Sequence, residues 1–332
     1  YHLYESFWYL NKQTNKIDMK TKLLALVATL GMVASASAVK INNNLSINGF
    51  VDGSYQLSDS DAGNSQQLQG DEAELNFVLT NGSVSGLVAI DSTDVNGNTD
   101  LNIEQAHFTY DLGNGVSVTV GRYGSALGFE REDPAGLYTF SRAYDDDSSF
   151  NLGNVDNAAV EGVTVAYSAE AFSIAASFEN NRDADIESDE LDLEVSFSYT
   201  GFADTVIGGG YFFSNENTNR AANAETDVLN IHASRSFGKL LAAVEYTELQ
   251  NDVDGDADGY LVLFDYDFND KIGAAVRFSN NERTSDNLDY EKFTIAPNYA
   301  ITDNLGAILE YSDVDAYGAD SNEIAVELTY TF

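Results

Sequence analysis

The chain has 332 residues, of which 54 are Asp or Glu and 16 are Lys or Arg, for a net charge of −38, and it contains no Cys. That balance excludes a phosphate-binding surface of clustered Lys and Arg, so nucleic acid is not an expected partner. Without Cys there is no disulfide, no thiolate nucleophile and no Cys-ligated metal, and three His (His2, His107, His232) leave little for a His-rich centre.

Residues 19–38 begin Met-Lys-Thr-Lys, continue through the apolar run Leu23–Val33 and end Ala36-Ser37-Ala38. A basic start, a short apolar core and a small-x-small end predict a secretory signal peptide cleaved after Ala38. The run is too short to be a spanning helix, which needs about 20 residues. Residues 1–18 precede Met19 and are expected to be an upstream extension outside the folded protein. The remaining 39–332 form one expected domain. It has lost four bases and two acids, so 52 acidic residues face 12 basic ones.

From Leu45 onward the dominant period is two, the signature of strands with one apolar face. Sixteen such segments are predicted near 45–57, 71–80, 83–91, 101–112, 116–123, 158–169, 171–179, 189–200, 203–214, 226–237, 240–249, 259–268, 271–280, 288–299, 303–313 and 322–332. Short links alternate with long ones. Asn81-Gly82, Gly113-Asn114-Gly115, Glu170-Ala171, Gly201-Phe202, Gly238-Lys239, Asn269-Asp270 and 300–302 are short. The long links are 58–70, 92–100, 124–157, 180–188, 215–225, 250–258, 281–287 and 314–321, all rich in Asp, Asn, Ser and Gly. Asn-Gly favours a two-residue hairpin turn, because both positions tolerate positive φ. Pairing Thr80 with Ser83, and Leu112 with Val116, groups the apolar residues of each hairpin on one face.

A soluble sandwich would bury the apolar faces between two sheets, whereas a transmembrane barrel turns them to lipid and encloses the polar ones. Three features favour the barrel. Strands of about 9–12 residues suit a tilted crossing. Short turns alternate strictly with long loops. Tyr recurs near strand ends (Tyr55, Tyr110, Tyr167, Tyr199, Tyr246, Tyr299, Tyr311, Tyr330), as an interfacial girdle requires. The expected fold is therefore all-β, a transmembrane antiparallel barrel of about 16 strands with short periplasmic turns and long external loops. Such a barrel must close, because open edges in lipid leave backbone groups unpaired.

The last strand, Ile324–Phe332, resembles the terminal assembly signature of Gram-negative outer-membrane barrels, with Tyr330 and Phe332 as its aromatic members. The stretch Glu104–Leu112, then Val120-Gly121-Arg122-Tyr123 and Leu127-Gly128-Phe129-Glu130, is similar to the OmpL-like beta-barrel porin family over about 101–150. The resemblance implies a non-enzymatic outer-membrane channel for passive diffusion of ions and small hydrophilic solutes. It implies a homotrimer set among the lipid and lipopolysaccharide of that membrane, and no cofactor. It also implies that the third external loop, 124–157, folds inward to narrow the pore. Candidate constriction residues there are Glu130, Arg131, Glu132, Asp133, Arg142, Asp145, Asp146 and Asp147. Opposed charges across a narrow waist would order permeating ions; the blander alternative is that they solvate an external loop.

Strand phasing puts Asp52, Glu72, Glu74, Asp192, Glu194, Glu245, Asp265, Asp267, Glu310, Glu323 and Glu327 on the lumen wall, against only Arg277 and Lys292. Such a wall should concentrate cations and exclude anions. If the acidity is instead an adaptation to salt, selectivity would be mild. Arg277 lies diagonal to Asp265, so a wall salt bridge is its plain reading. The segment 252–259 is similar to a calcium loop through Asp254, Asp256, Asp258 and Gly259, although a strand follows in place of a helix. His107 and His232 face the lumen without a triad spacing. Gly208-Gly209-Gly210 sits within a strand and marks close backbone approach. A channel specific for a sugar or dicarboxylate is the alternative function. An aromatic track along the lumen would favour it, and Phe50, Tyr123 and Phe129 are too few to argue one. An adhesive barrel is a weaker alternative.

Overall fold

A computed structural model describes residues 38–60, 63–93, 101–131, 133–144, 159–180, 191–214, 225–251, 255–283, 288–316 and 318–332. The extension 1–18, the signal segment as far as Ser37, Glu132, Asp145, Asp146, Asp147 and Asp254 lie outside the described residues.

The strands are β1 (Val39–Lys40), β2 (Leu45–Ser60), β3 (Gly63–Asn81), β4 (Val84–Thr93), β5 (Asn102–Gly113), β6 (Val116–Gly124), β7 (Ala159–Ser168), β8 (Phe172–Glu179), β9 (Asp192–Tyr199), β10 (Thr205–Phe213), β11 (Thr226–Phe237), β12 (Leu240–Asn251), β13 (Ala257–Asp267), β14 (Ile272–Arg283), β15 (Leu288–Ala300), β16 (Leu305–Ala316) and β17 (Ala319–Thr331). Each strand from β2 onward pairs antiparallel with the next, and β17 pairs back onto β2, so sixteen strands close into a barrel. Closure leaves no ladder edge, which is the condition for crossing lipid as a sheet. The two-residue β1 lies against Ser46 and Ile47 at the short-turn end. There Phe332 and Gly49 exchange backbone hydrogen bonds of 3.0 Å, locking the last residue beside the first barrel strand.

Period two sets the two faces. Along β13, Tyr260, Phe264 and Tyr266 are exposed outward while Leu261, Leu263 and Asp265 are buried inward. The same alternation puts Val163, Val165, Phe197, Ile231, Val244, Ile295, Leu309, Val326 and Leu328 on the outside. At the short-turn end the belt is bounded by contacting aromatic pairs: Tyr167–Phe172, Tyr199–Phe202, Tyr266–Phe268 and Tyr330–Phe332, with ring centroids 5.2–6.2 Å apart. Exposed Tyr55, Tyr246, Tyr260 and Tyr311 mark the opposite rim. These amphipathic rings sit where an interfacial girdle belongs.

Three features depart from the sequence expectation. The predicted link 58–70 is strand almost throughout, because β2 and β3 run for 16 and 19 residues and pair as far as Ser60 with Gly63. Its Ser, Asn and Gln residues show no apolar alternation, yet a ladder wet on both faces needs none. The predicted link 314–321 is also mostly ladder, closing at Ala316 with Ala319. In the β3–β4 hairpin the turn is Gly82-Ser83, with Asn81 opposite Val84 and Gly82 at φ 64°. The register therefore slips by two from the Thr80–Ser83 pairing, which keeps every side chain on its expected face. In the β5–β6 hairpin Leu112 sits at a bulge, and Tyr110 and Phe108 oppose Val118 and Val120 as expected.

Candidate pore and its inward loop

The segment after β6 enters the barrel. Ser125 Oγ donates to Glu194 Oε2 at 2.6 Å, and the Ala126 amide donates to Glu194 Oε1 at 2.9 Å, fixing the loop to β9. Leu127, fully buried, then meets the glycine run of β10: a Cβ added at Gly210 would lie 2.7 Å from Leu127 Cδ2 and 2.3 Å from the Val195 carbonyl oxygen. The Phe129 amide donates to Glu245 on β12, whose carboxylate also accepts from Asn230 Nδ2 at 3.0 Å. Beyond Glu130 the loop reaches the far wall. Asp133 stands beside Glu72 and Glu74 of β3, and the 3₁₀ turn Pro134–Gly136 lies against β17. The chain then returns to β16 and β14 through Ser141 and Ala143. Since β12 and β3 stand on nearly opposite sides of a sixteen-strand ring, the loop crosses the lumen.

Arg277 of β14 is the pin. It is wholly buried, and its guanidinium donates to Glu130 Oε1 and Oε2 at 2.8 and 3.0 Å. It also donates to Thr139 Oγ1 at 2.8 Å, to the Ser141 carbonyl at 2.7 Å and to the Arg142 carbonyl at 2.8 Å. Arginine's planar fork suits this convergence of acceptors in a way a lysine point charge would not. Glu130 Oε2 in turn accepts the Ala143 amide at 2.7 Å, and Glu310 of β16 accepts from the Ser141 amide and hydroxyl. The expected wall pair with Asp265 is therefore corrected: Arg277 pairs with the loop, and Asp265 opposes Ala275. Docking supplied a better partner than the neighbouring strand.

An apolar patch completes the mooring. Leu127, Ala143 and Tyr144, with Phe129 and Tyr138 beside them, pack on Phe212, Val228, Leu241, Ala243, Leu249, Leu261 and Leu263 of β10–β13. Sequence reasoning missed this dock, although a signal was present. Tyr260–Phe264 is apolar on both faces, which lipid on one side and water on the other does not require. Thr139, Ser141, Ser279 and Thr294 were missed as well, being ordinary hydroxyl residues with no pattern of their own.

The remaining wall residues lie buried or half-buried, in alternation with the exposed apolar ones. Of the eleven acids, Glu194, Glu245 and Glu310 hold the loop, while Asp52, Glu72, Glu74, Asp192, Asp265, Asp267, Glu323 and Glu327 line the rest of the barrel. The two bases are both committed: Arg277 to Glu130, and Lys292 to Glu323 at 3.7 Å. Of the constriction candidates, Glu130 is buried in the pin and Arg142 donates to the Glu130 carbonyl, so neither stands alone in the opening. Arg131 and Asp133 lie on the crossing segment. The aromatic track does not assemble, since Phe129 stacks on Tyr138 in the dock, Tyr123 bonds Ser177 at 2.6 Å and Phe50 sits on β2. His107 packs edge-on against Tyr123, and His232 packs against Phe129.

The calcium-loop reading meets a different geometry. β13 begins at Ala257, so Asp258 and Gly259 lie in the ladder opposite Glu248 and Thr247, and Asp256 accepts the Asn251 amide at 3.2 Å. Asp254 lies outside the described residues.

Comparison with known proteins agrees with this architecture. Residues 62–331 match the model of a family described as "Putative beta-barrel porin-2, OmpL-like". No curated protein sequence matches the chain. Among solved structures, it is similar to the anion-selective porin from Comamonas acidovorans, at 12% identity and TM-score 0.65 over 87% of this chain and 99% of that one. It is similar to OmpF of Salmonella typhi in complex with daunomycin, at 13% and 0.65 over 89% and 100%. It is also similar to the trimer form of OmpT of Vibrio cholerae, at 14% and 0.63 over 87% and 100%. At these identities the likeness is one of fold.

Proposed function

The chain belongs to the OmpL-like beta-barrel porin-2 family, and from that premise we propose that it forms a water-filled diffusion channel for ions and small hydrophilic solutes, with a preference for cations. The observation that carries the reading is the loop moored across the lumen by Arg277, within a wall whose acids outnumber its bases. Sixteen strands enclose an aqueous interior, whereas eight would be filled by side chains. The crossing loop narrows that interior without plugging it by a separate domain.

The sign of the selectivity rests on the side chains. The fold is shared with a porin described as anion-selective, so the architecture is neutral on this point. Here the two wall bases are paired with acids, Arg277 with Glu130 and Lys292 with Glu323, and seven wall acids remain beyond Glu323 and the three that anchor the loop. Inside a low-dielectric tube such a charge raises local cation concentration. In this reading the barrel is non-enzymatic, its two lumen histidines serving as packing groups beside aromatic rings. Export would use the segment 19–38, assembly would use Tyr330 and Phe332, and the working unit would be a homotrimer in the outer membrane of a Gram-negative bacterium.

Single-channel recording of folded 39–332 in a planar bilayer tests the channel. Discrete, reproducible conductance steps are expected. Silence from protein that is folded and heat-modifiable on a gel would overturn the diffusion reading.

A further inference from the structure

We infer that Glu72 and Glu74 of β3, together with Asp133 at the crossing segment of the third loop, form a Ca²⁺ site that ties the loop to the wall opposite its anchors. One carboxylate oxygen from each of the three residues lies within 4.8 Å of the other two. Glu72 and Glu74 are two apart in a strand, so both side chains point into the lumen. Asp133 comes to them from the crossing segment, three residues beyond Glu130, which is held by Arg277.

Glu74 supplies the second observation. It is only 4% exposed, and its Oε1 accepts from Asn76 Nδ2, while its carboxyl lies within hydrogen-bond reach of the Glu104 carboxyl; the buried Oε2 atoms of both residues have no donor. A buried carboxylate oxygen without a partner is costly and calls for a proton or a cation. Among the described residues no Lys or Arg lies within ion-pair distance of Glu72 or Glu74. The nearby Arg122 is engaged elsewhere, donating to the Glu104 carbonyl at 2.9 Å and pairing with Glu161 at 3.7 Å. The local surroundings add negative charge, since Asp91 opposes Glu74 in the ladder and Asp52 Oδ1 accepts the Glu72 amide at 2.9 Å.

The chemistry selects the ion. Carboxylate oxygens are hard ligands suited to Ca²⁺ or Mg²⁺. Mg²⁺ keeps several of its waters and is usually held by one or two carboxylates, so three protein carboxylates from two segments favour Ca²⁺. Three protein carboxylates with water completing the shell place the affinity in the weak range, about 10⁻⁴–10⁻³ M. Bound there, the ion would close the second end of the loop, so that both of its margins are held.

Isothermal titration of the folded protein in detergent with CaCl₂ reads the site directly. Because it needs no current, its outcome is separate from that of the channel reading. Wild type is expected to show one saturable Ca²⁺ site, and Mg²⁺ is expected to bind at least tenfold more weakly. Glu74→Gln and Asp133→Asn should each weaken it tenfold or more, while Asp313→Asn on the outer face of β16 should leave it unchanged. Asp133 lies on the loop, so its variant keeps the barrel ladder, and heat-modifiability on a gel verifies folding of all three. No saturable Ca²⁺ event, equal affinity for Mg²⁺, or unchanged binding in both site variants would overturn the assignment.

Discussion

Arg277 is a charge sealed from water, and its whole environment is built by residues distant in sequence: Glu130 lies 147 positions away and Ser141 136. Removing one partner of such a buried pair costs about 3–5 kcal/mol, because the other is left charged and unpaired. Here the loss falls on the loop, since the β14 ladder bonds are backbone and remain. Arg277→Met should therefore leave a heat-modifiable barrel while raising single-channel conductance and its noise, as measured in a planar bilayer. Unchanged conductance would mean that the pin does not set the opening. The sequence showed Arg277 as a lone inward base, since strand phase follows from period two. It could not show the partner, because the choice between Asp265 and Glu130 depends on where a 34-residue link comes to rest.

The third loop shows how an element is specified by two unlike forces. Hydrogen bonds to Glu194, Glu245, Arg277 and Glu310 fix its path, and the patch from Leu127 to Leu263 excludes water beneath it. Truncating a buried Leu costs about 2–5 kcal/mol. Leu127→Ala is accordingly expected to loosen the loop alone, read as faster proteolytic nicking within 124–157 with barrel heat-modifiability retained. The residues that carry the family resemblance turn out to be the hinge of this element. Gly121 at φ 130° lets β6 pass His107, Gly128 at φ 93° turns the loop, and Leu127, Phe129 and Glu130 dock it. The motif was legible and its job was not, because a local pattern does not state which wall it will meet. The extended β2–β3 hairpin was illegible for another reason: apart from the exposed Leu68, residues 64–69 are polar on both faces and carry no period, and it is backbone pairing that aligns them.

For the whole molecule, the division between an apolar exterior and an acidic interior is the property that the sequence displays most plainly. Alternation in β17 puts Val326 and Leu328 outside and Glu327 inside, and the same logic repeats around the ring. A charge on the lipid face costs about 2–4 kcal/mol near the bilayer midplane. Val326→Arg should reduce the yield of heat-modifiable barrel in lipid vesicles by roughly the corresponding factor, whereas Glu327→Gln should fold normally and reduce cation preference. The closed ring and the position of the wall acids follow from period and turn spacing. The loop's two margins follow from tertiary contact alone.

The central claim is that the moored loop and the acidic wall make a cation-preferring channel. The reversal potential of folded 39–332 in a bilayer, across a tenfold KCl gradient, tests it most directly. A potential displaced toward the K⁺ equilibrium value is expected, shrinking as salt is raised and the wall is screened. A displacement toward the Cl⁻ value would contradict the account, and so would one near zero at low salt.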